Sequence, residues 1–431
     1  MFAIALAGGR GVRARPLTLT TPDYLRSKAA MRVAGRSLIE WSVDLLAAQG
    51  VRDFYIAACG SENRGQIKSI LDYGDRLGVS VRYSRMRFDR HNTGSGEATL
   101  RCLEHWNLDG PGLVFPTDSL FEFDLPAMAG EHRAAGAAVT VAAVHRSTVQ
   151  AEGKYGVLDC DSDGVVSRFV EKPDRMTARS LADRHGQVRT NAGMYLIDGA
   201  RLRMAARDPE LTALVRSRLD WGRDLLPYLV SCGHRVTSHV IDRFGDLGSP
   251  SDFLDTLRDV LHDKYPQVSD RMGARIHESS LYLKDSVSSR TLAEKIRDGS
   301  VRVGDNVRIG RDVEIGPGVE LFDSDIGDGV DVGAGAKLHR VSCGDHSIIG
   351  PGARLSDAVV GQMVEIRSER NHPVVLVGYC ALGDEVRVHA GLQLRGVSIF
   401  PRLEVWSDAR VPPGTCLIEP RDIVRWSPRS A

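Results

Sequence analysis

The chain lacks any excess of charge: 56 Lys and Arg stand against 56 Asp and Glu in 431 residues. Without a global field, affinity for nucleic acid or an anionic membrane has no electrostatic footing, and any anion must be held locally. Cysteines at metal spacing are also missing. Cys59, Cys102, Cys160, Cys232, Cys343, Cys380 and Cys416 are scattered, with no C-x-x-C and no zinc-spaced Cys/His cluster, the pattern of reduced thiols in a cytoplasmic protein. Long apolar runs are absent too. Phe2–Leu6 is too short for a signal core and has no basic flank, and nothing approaches the length of a membrane span. The length itself favours two or three domains.

What is present changes character along the chain. Over the first 260 residues, apolar runs such as "FAIAL", "DFYIAAC", "GLVFPTD" and "AAVTVAAV" alternate with amphipathic stretches such as "SLIEWSVDLLAAQG", "ENRGQIKSILDYG" and "SGEATLRCLEHW". That alternation predicts a mostly parallel sheet covered by helices. "YGVLDCDSDGVVSRFVEKP" reads instead as a hairpin around Asp163-Gly164. Residues 263–300 read as a connector with one short helix, Leu292–Arg297, in which Thr291 and Glu294 have capping-box spacing. Beyond Ser300, Val301, Val307, Val313 and Val319 repeat every six residues. Gly316, Gly333 and Gly350 fall 17 apart, as do Gly310, Gly327, Gly344, Gly361 and Gly378. Hexads in such a supercycle predict a parallel β-helix, burying one small apolar residue per hexad.

The first strand runs into "ALAGGRGVRARPLT", Ala5–Thr18. Glycines at a strand's carboxyl end let backbone amides approach a phosphate or a base, and Arg13 and Arg15 supply charge-assisted bonds. No G-K-[ST] follows, and the G-x-G-x-x-G spacing is missing. Alone, this loop is equally compatible with an ordinary turn.

Its partners in sequence are more specific. "LAGGRGVRARPLT" followed by "SKAAMRVAGRSLIEW" resembles the signature of sugar-1-phosphate nucleotidyltransferases. "GSGEA", "FPTDSLFEFDL", "KYGVL", "FVEKP", "NAGMYLI", "DWGRDLLP" and "FGDLGSPSDFL" follow in the family's order. "RSKAAM", "FVEKP" and "DWGRDLLP" are most similar to the glucose-1-phosphate adenylyltransferase branch. The resemblance implies a Rossmann-like α/β catalytic domain with a mixed, mostly parallel sheet over residues 1–262. It also implies a left-handed parallel β-helix over 301–425, which would drive homo-oligomerisation as a dimer or tetramer.

Carried over position by position, the resemblance assigns Arg13 and Lys28 to catalysis. Ala7, Gly8, Gly9, Gly11 and Arg13, with Gly94 and Gly96, go to the nucleoside triphosphate. Gly156, Glu171, Lys172, Asn191 and Gly193 go to the sugar phosphate, and Asp118 and Asp246 to Mg²⁺. The implied reaction joins a nucleoside triphosphate to a sugar 1-phosphate with release of pyrophosphate. Adenylyl transfer to glucose 1-phosphate is the first expectation; a guanylyl, thymidylyl or uridylyl donor and an unusual sugar or cyclitol phosphate remain open. The chain departs from the family pattern at Val12, in extra residues between Thr18 and Lys28, at Ala29 and Arg32 in place of prolines, and at Thr117 in place of glycine. Two rival readings are a non-catalytic subunit of the same fold and a bifunctional enzyme whose β-helix transfers acyl groups with His372 as base.

Overall fold

A computed structural model describes residues 1–276 and 281–425. The chain divides into two compact units. One comprises Met1–Gly9 and Ile39–Phe244, the other Arg10–Leu38 and the chain from Gly245 onward. The sequence expectation drew its boundary at residue 262; by contacts, the arm Arg10–Leu38 and the helix Pro250–Leu261 group with the C-terminal repeats.

The first unit is built on a nine-stranded sheet. Its strands are β1 (Phe2–Ala7), β2 (Asp53–Ala58), β3 (Ser80–Tyr83), β4 (Pro111–Pro116), β5 (Val139–Ser147), β6 (Val157–Cys160), β7 (Val166–Val170), β8 (Gln187–Asp198) and β9 (Val236–Val240). The order is β7-β6-β8-β4-β1-β2-β3, with β5 between β8 and β9. β4, β1, β2 and β3 run parallel, as the strand–helix alternation predicts. β8 runs antiparallel to β4, β5 and β6, so the sheet is mixed. β1 is apolar on both faces because helices cover both sides of the parallel half. The hairpin expected around Asp163-Gly164 forms between β6 and β7; the Asp161 carboxylate accepts the amides of Asp163 and Val165, and Gly164 takes φ +77°.

In the second unit the repeats form a parallel β-helix. Ile309, Ile326, Cys343, Val360, Leu382, Ile399 and Leu417 stack in one buried column. Ile315, Val332, Ile349, Ile366, Val388 and Val405 make a second, and Leu321, Leu338, Leu355, Leu376 and Leu394 a third. Each such side chain contributes about 1.5–3 kcal/mol on burial. Val301, Val307, Val313 and Val319 are buried as expected. The residues two positions on, such as Ile309, Ile315 and Leu321, are buried as well, so a hexad turns two apolar side chains inward rather than one.

Two further expectations are corrected here. Gly378 falls 17 after Gly361 but is not its structural equivalent, because the coil step lengthens from 17 to 22 residues there and Gly383 lies beside Gly361. His372 sits exposed in this longer coil. The connector helix spans Val287–Arg297, capped by the Ser286 hydroxyl accepting from the Ser289 amide; Thr291 therefore lies inside it, not at a cap. Among the described residues no helix is long and apolar enough to cross a membrane, and the seven cysteines are free.

Candidate active site

Within the first unit, the groups assigned to the sugar phosphate gather where β8 bulges. Its pairing with β5 slips between Asn191 and Tyr195, and Gly193 in the bulge takes φ +73°, a conformation that favours glycine. The bulge turns the Asn191 side chain onto two partners. Its Oδ1 accepts the Gly193 amide at 2.8 Å, and its Nδ2 donates to the Tyr195 hydroxyl at 2.8 Å. The Asn191 amide donates to the Gly156 carbonyl, joining the bulge to the entry of β6. Tyr195 stacks on Trp221 at 4.1 Å with rings 12° from parallel. Trp221 opens one turn of π-helix, Trp221–Leu225, and its indole donates to Thr99 Oγ1 at 2.8 Å. Such turns frequently mark functional sites.

Glu171 follows β7 into this hollow. A Cβ on Gly156 or on Gly222 would lie 2.8 or 2.9 Å from its Oε2, so the two glycines make the space its carboxylate uses. The carboxylate remains reachable by solvent, yet removal of water by the surrounding protein raises its pKa above the usual range; Asp220 adds to the rise, while Lys172 and Arg223 oppose it. Lys172 is exposed and holds φ +46° just before Pro173. For a side-chain-bearing residue this conformation costs on the order of 1–3 kcal/mol and is met most often at functional sites. Asp220, Trp221 and Gly222 were not assigned from sequence. The signal lay in "DWGRDLLP", where a tryptophan and a glycine interrupt a helical stretch.

At the end of β1, Ala7 is buried while Gly8 and Gly9 are exposed. A Cβ on Gly9 would meet nothing within 4 Å, and one on Gly8 only Cys59 Cβ at 3.8 Å. These glycines border open space, as a cradle for a ligand requires. Thr117, the departure from the family's glycine, is buried, and its hydroxyl donates to the Leu6 carbonyl at 3.2 Å, tying β4 to β1. Asp118 follows directly and is half-buried.

Gly94 and Gly96 have a role other than presenting open amides. The Gly96 and Glu97 amides both donate to the Leu219 carbonyl, and the Gly94 amide donates to Asn92 Oδ1. A Cβ on Gly94 would stand 2.4 Å from Leu219 O. The two glycines dock the first turn of the helix Ser95–His105 onto the Leu219-Asp220 segment, so their amides are already spent within the protein.

Within the second unit, Gly11 takes φ +63° and its carbonyl accepts the Thr18 hydroxyl at 2.8 Å, which folds the loop carrying Val12 and Arg13. Arg13 comes close to Asp246 around Gly248. A Cβ on Gly248 would lie 3.0 Å from Asp246 Oδ1 and 3.4 Å from Arg13 Nη2, and the Gly248 amide donates to Asp246 Oδ1 at 2.9 Å. Behind it, the Thr256 hydroxyl donates to the Asp246 carbonyl at 2.9 Å. Lys28 is half-buried and opens the 3₁₀ turn Lys28–Ala30. Asp118 and Asp246 are both half-buried carboxylates, hard oxygen donors of the kind Mg²⁺ takes. Among the described residues no three or more His, Cys, Asp or Glu stand together as a metal-ligand cluster.

A mixed α/β sheet, a glycine-lined strand end and these carboxylates define a class: the chain belongs to the nucleotidyl transferase family, whose model matches residues 2–263. Residues 292–413 match the model of the GMPPB C-terminal domain. The mannose-1-phosphate guanyltransferases of Candida albicans and Eremothecium gossypii are each 28% identical over 257 residues, covering 59% of this chain and 63% of theirs. A glucose-1-phosphate adenylyltransferase of Saccharophagus degradans is 28% identical over 246 residues, covering 53% and 54%. The chain thus spans less than two thirds of the length of these relatives.

Proposed function

We propose that the protein is an active sugar-1-phosphate nucleotidyltransferase and that a guanylyl donor with mannose 1-phosphate is the first pair to test. The observation that supports it is the hollow of Gly156, Glu171, Asn191 and Gly222, in which a carboxylate and a carboxamide, groups able to bond sugar hydroxyls, stand together. The guanylyl choice replaces adenylyl because two relatives named above are guanyltransferases and the C-terminal repeats match the GMPPB domain. The adenylyltransferase relative keeps ATP and glucose 1-phosphate as the second pair.

In this reading a phosphate oxygen of the sugar 1-phosphate forms a bond to the α-phosphorus, and the bond from that phosphorus to the bridging oxygen breaks, releasing pyrophosphate. The attacking oxygen is already ionised, so no general base is needed; the protein brings two polyanions together and offsets their charge. Gly8, Gly9 and Gly11 admit the triphosphate, Arg13 and Lys28 offset its charge, and Lys172 meets the sugar phosphate. Glu171 and Asn191 orient the sugar ring. Mg²⁺, when held by Asp118 and Asp246, would supply further charge stabilisation on the transferring phosphoryl group. A matrix of nucleoside triphosphates against sugar 1-phosphates, scored by Mg²⁺-dependent pyrophosphate release, tests the reading. Turnover in at least one pair is expected; none in any pair refutes it and favours the non-catalytic reading.

Glu171 gives a pH prediction. A carboxyl whose folded-state pKa lies above its unfolded value binds protons more tightly when folded, so its contribution to stability is greatest at low pH and is lost as pH rises through the folded pKa. Glu171→Gln should therefore leave Tm at pH 7 unchanged or slightly raised. KM for the sugar phosphate should rise about tenfold, the loss of a charged hydrogen bond. In the native protein that KM should climb on acidification, at a higher pH than an ordinary glutamate would give. Steady-state kinetics between pH 4.5 and 8 with calorimetry reads all three.

A further inference from the structure

The arm Arg10–Leu38 carries both Arg13 and Lys28 and groups by contacts with the chain from Gly245 onward, which includes the β-helix. Aspartates at equivalent points of the coils form a ladder, interrupted by Gln362 between Asp345 and Asp384. One carboxylate oxygen accepts a backbone amide from the coil before: Asp328 from Arg311, Asp345 from Asp328, and Asp384 from Gln362, at 2.9–3.0 Å. Asp328 gives its second oxygen to Arg311 of its own stack. Asp345 and Asp384 give theirs to the arm, pairing with Arg32 and Arg26. One coil step earlier, the arm's turn at Gly35, φ +81°, lies against Arg308, whose guanidinium is bound to Asp325; a Cβ on Gly35 would overlap it at 1.9 Å. Arg26, Arg32 and Gly35 thus meet the coils in reverse order of sequence, with Lys28 lying between the first two anchors. Arg32 stands where the family pattern has proline, so one departure in the sequence is explained by an ion pair.

We infer that the β-helix is a working part of the catalytic centre: Asp345 and Asp384, through Arg32 and Arg26, are positioning residues that hold the arm so that Lys28 and Arg13 meet the substrate phosphates. This rests on the nucleotidyltransferase reading above. The four residues touch neither substrate nor metal in that reading. A displacement of about 1 Å in a positioned group can cost on the order of a hundredfold in rate, and the arm's regular secondary structure is confined to short turns and the two-residue pair Arg32–Val33 with Arg36–Ser37.

The test uses the full-length chain with Arg26→Gln, Arg26→Lys and Asp345→Asn. The Asn variant keeps the oxygen that accepts the Asp328 amide and removes only the charge facing Arg32, so the coil stays intact. Arg26→Gln and Asp345→Asn should each lower kcat about 10–100-fold, with KM for either substrate moving less than threefold, and Arg26→Lys should restore most of the rate. Hydrogen–deuterium exchange should rise across residues 10–38 and stay unchanged in the coils 301–366. Wild-type kcat in Arg26→Gln and Asp345→Asn, with or without faster exchange in the arm, overturns the inference. Exchange rising throughout the β-helix also overturns it, since the pairs would then be merely structural. A wild-type protein without turnover overturns the functional reading instead, and arm exchange alone then decides whether the β-helix anchors the arm.

Discussion

Asp246→Asn should reduce kcat by about 10²–10³-fold, the scale seen when one preorganised electrostatic contact to a reacting group is removed, with Tm within about 2 °C of wild type. The two halves of this expectation have separate causes. The substituted amide retains an oxygen to accept the Gly248 amide, and the Thr256 hydroxyl bonds the backbone carbonyl of residue 246, which the substitution does not touch. Gly245, whose Cβ would lie 2.3 Å from Thr256, keeps the same close approach. Local geometry is therefore preserved and only a unit of negative charge is lost. That charge faces the Arg13 guanidinium across Gly248, and in the proposed reaction it also helps to hold Mg²⁺. Pyrophosphate release measured across a Mg²⁺ series, with calorimetry alongside, separates these contributions. A metal role predicts that the concentration of Mg²⁺ giving half-maximal rate increases, whereas an Arg13-orienting role lowers kcat at an unchanged Mg²⁺ requirement. Full activity at every Mg²⁺ concentration would remove Asp246 from the site.

The extent to which this architecture was legible in the sequence follows from how local each determinant is. The β-helix was legible because every coil repeats the same inward positions, so valines and glycines recur at a fixed step. Counting that step past Gly361 fails, because the step lengthens there to 22 residues and Gly378 keeps the interval by coincidence while Gly383 takes the structural place. Glu171, Asn191 and Gly193 were legible as short motifs in a family's order, and they converge in one hollow. Gly94 and Gly96 lie in such a motif as well, yet the Gly94 amide is taken by Asn92 two residues back and the Gly96 amide by Leu219, more than a hundred residues away. Asp220, Trp221 and Gly222 lie in a motif of the same order, "DWGRDLLP", but drew no role, because a π-turn has no periodic signal of its own. The arm's anchoring was the least legible. Arg26 and Asp384 are separated by 358 residues, and a lone arginine in a loop reads as a solvated charge until the coil that carries its partner is folded.

Asp325→Ala should be the most destabilising single change in the β-helix, costing about 3–5 kcal/mol. Arg308 is 1% exposed and Asp325 6%, and their ion pair closes at 2.7 Å beneath the arm's turn. Arg308 Nε is buried with no acceptor, so the guanidinium already relies on Asp325 for much of its compensation. Removing the carboxylate leaves the buried guanidinium without the partner that accepts its hydrogen bond. The loss should be read as a fall in Tm on the order of 10 °C, or in the urea midpoint of the transition reported by β-sheet circular dichroism. The double variant Arg308→Met with Asp325→Leu removes both charges at similar volume, and such replacements are often neutral or stabilising. It should recover most of the lost stability. The comparison has a functional arm as well, because Gly35 rests on Arg308 and its close approach leaves no room for a bulkier partner. If the β-helix positions Lys28 and Arg13 through the Arg26 and Arg32 anchors, the stable double variant should keep kcat within about fivefold of wild type, since those two ion pairs are untouched. A stable double variant with kcat as low as that of Arg26→Gln would instead place the decisive anchor at the Gly35 turn.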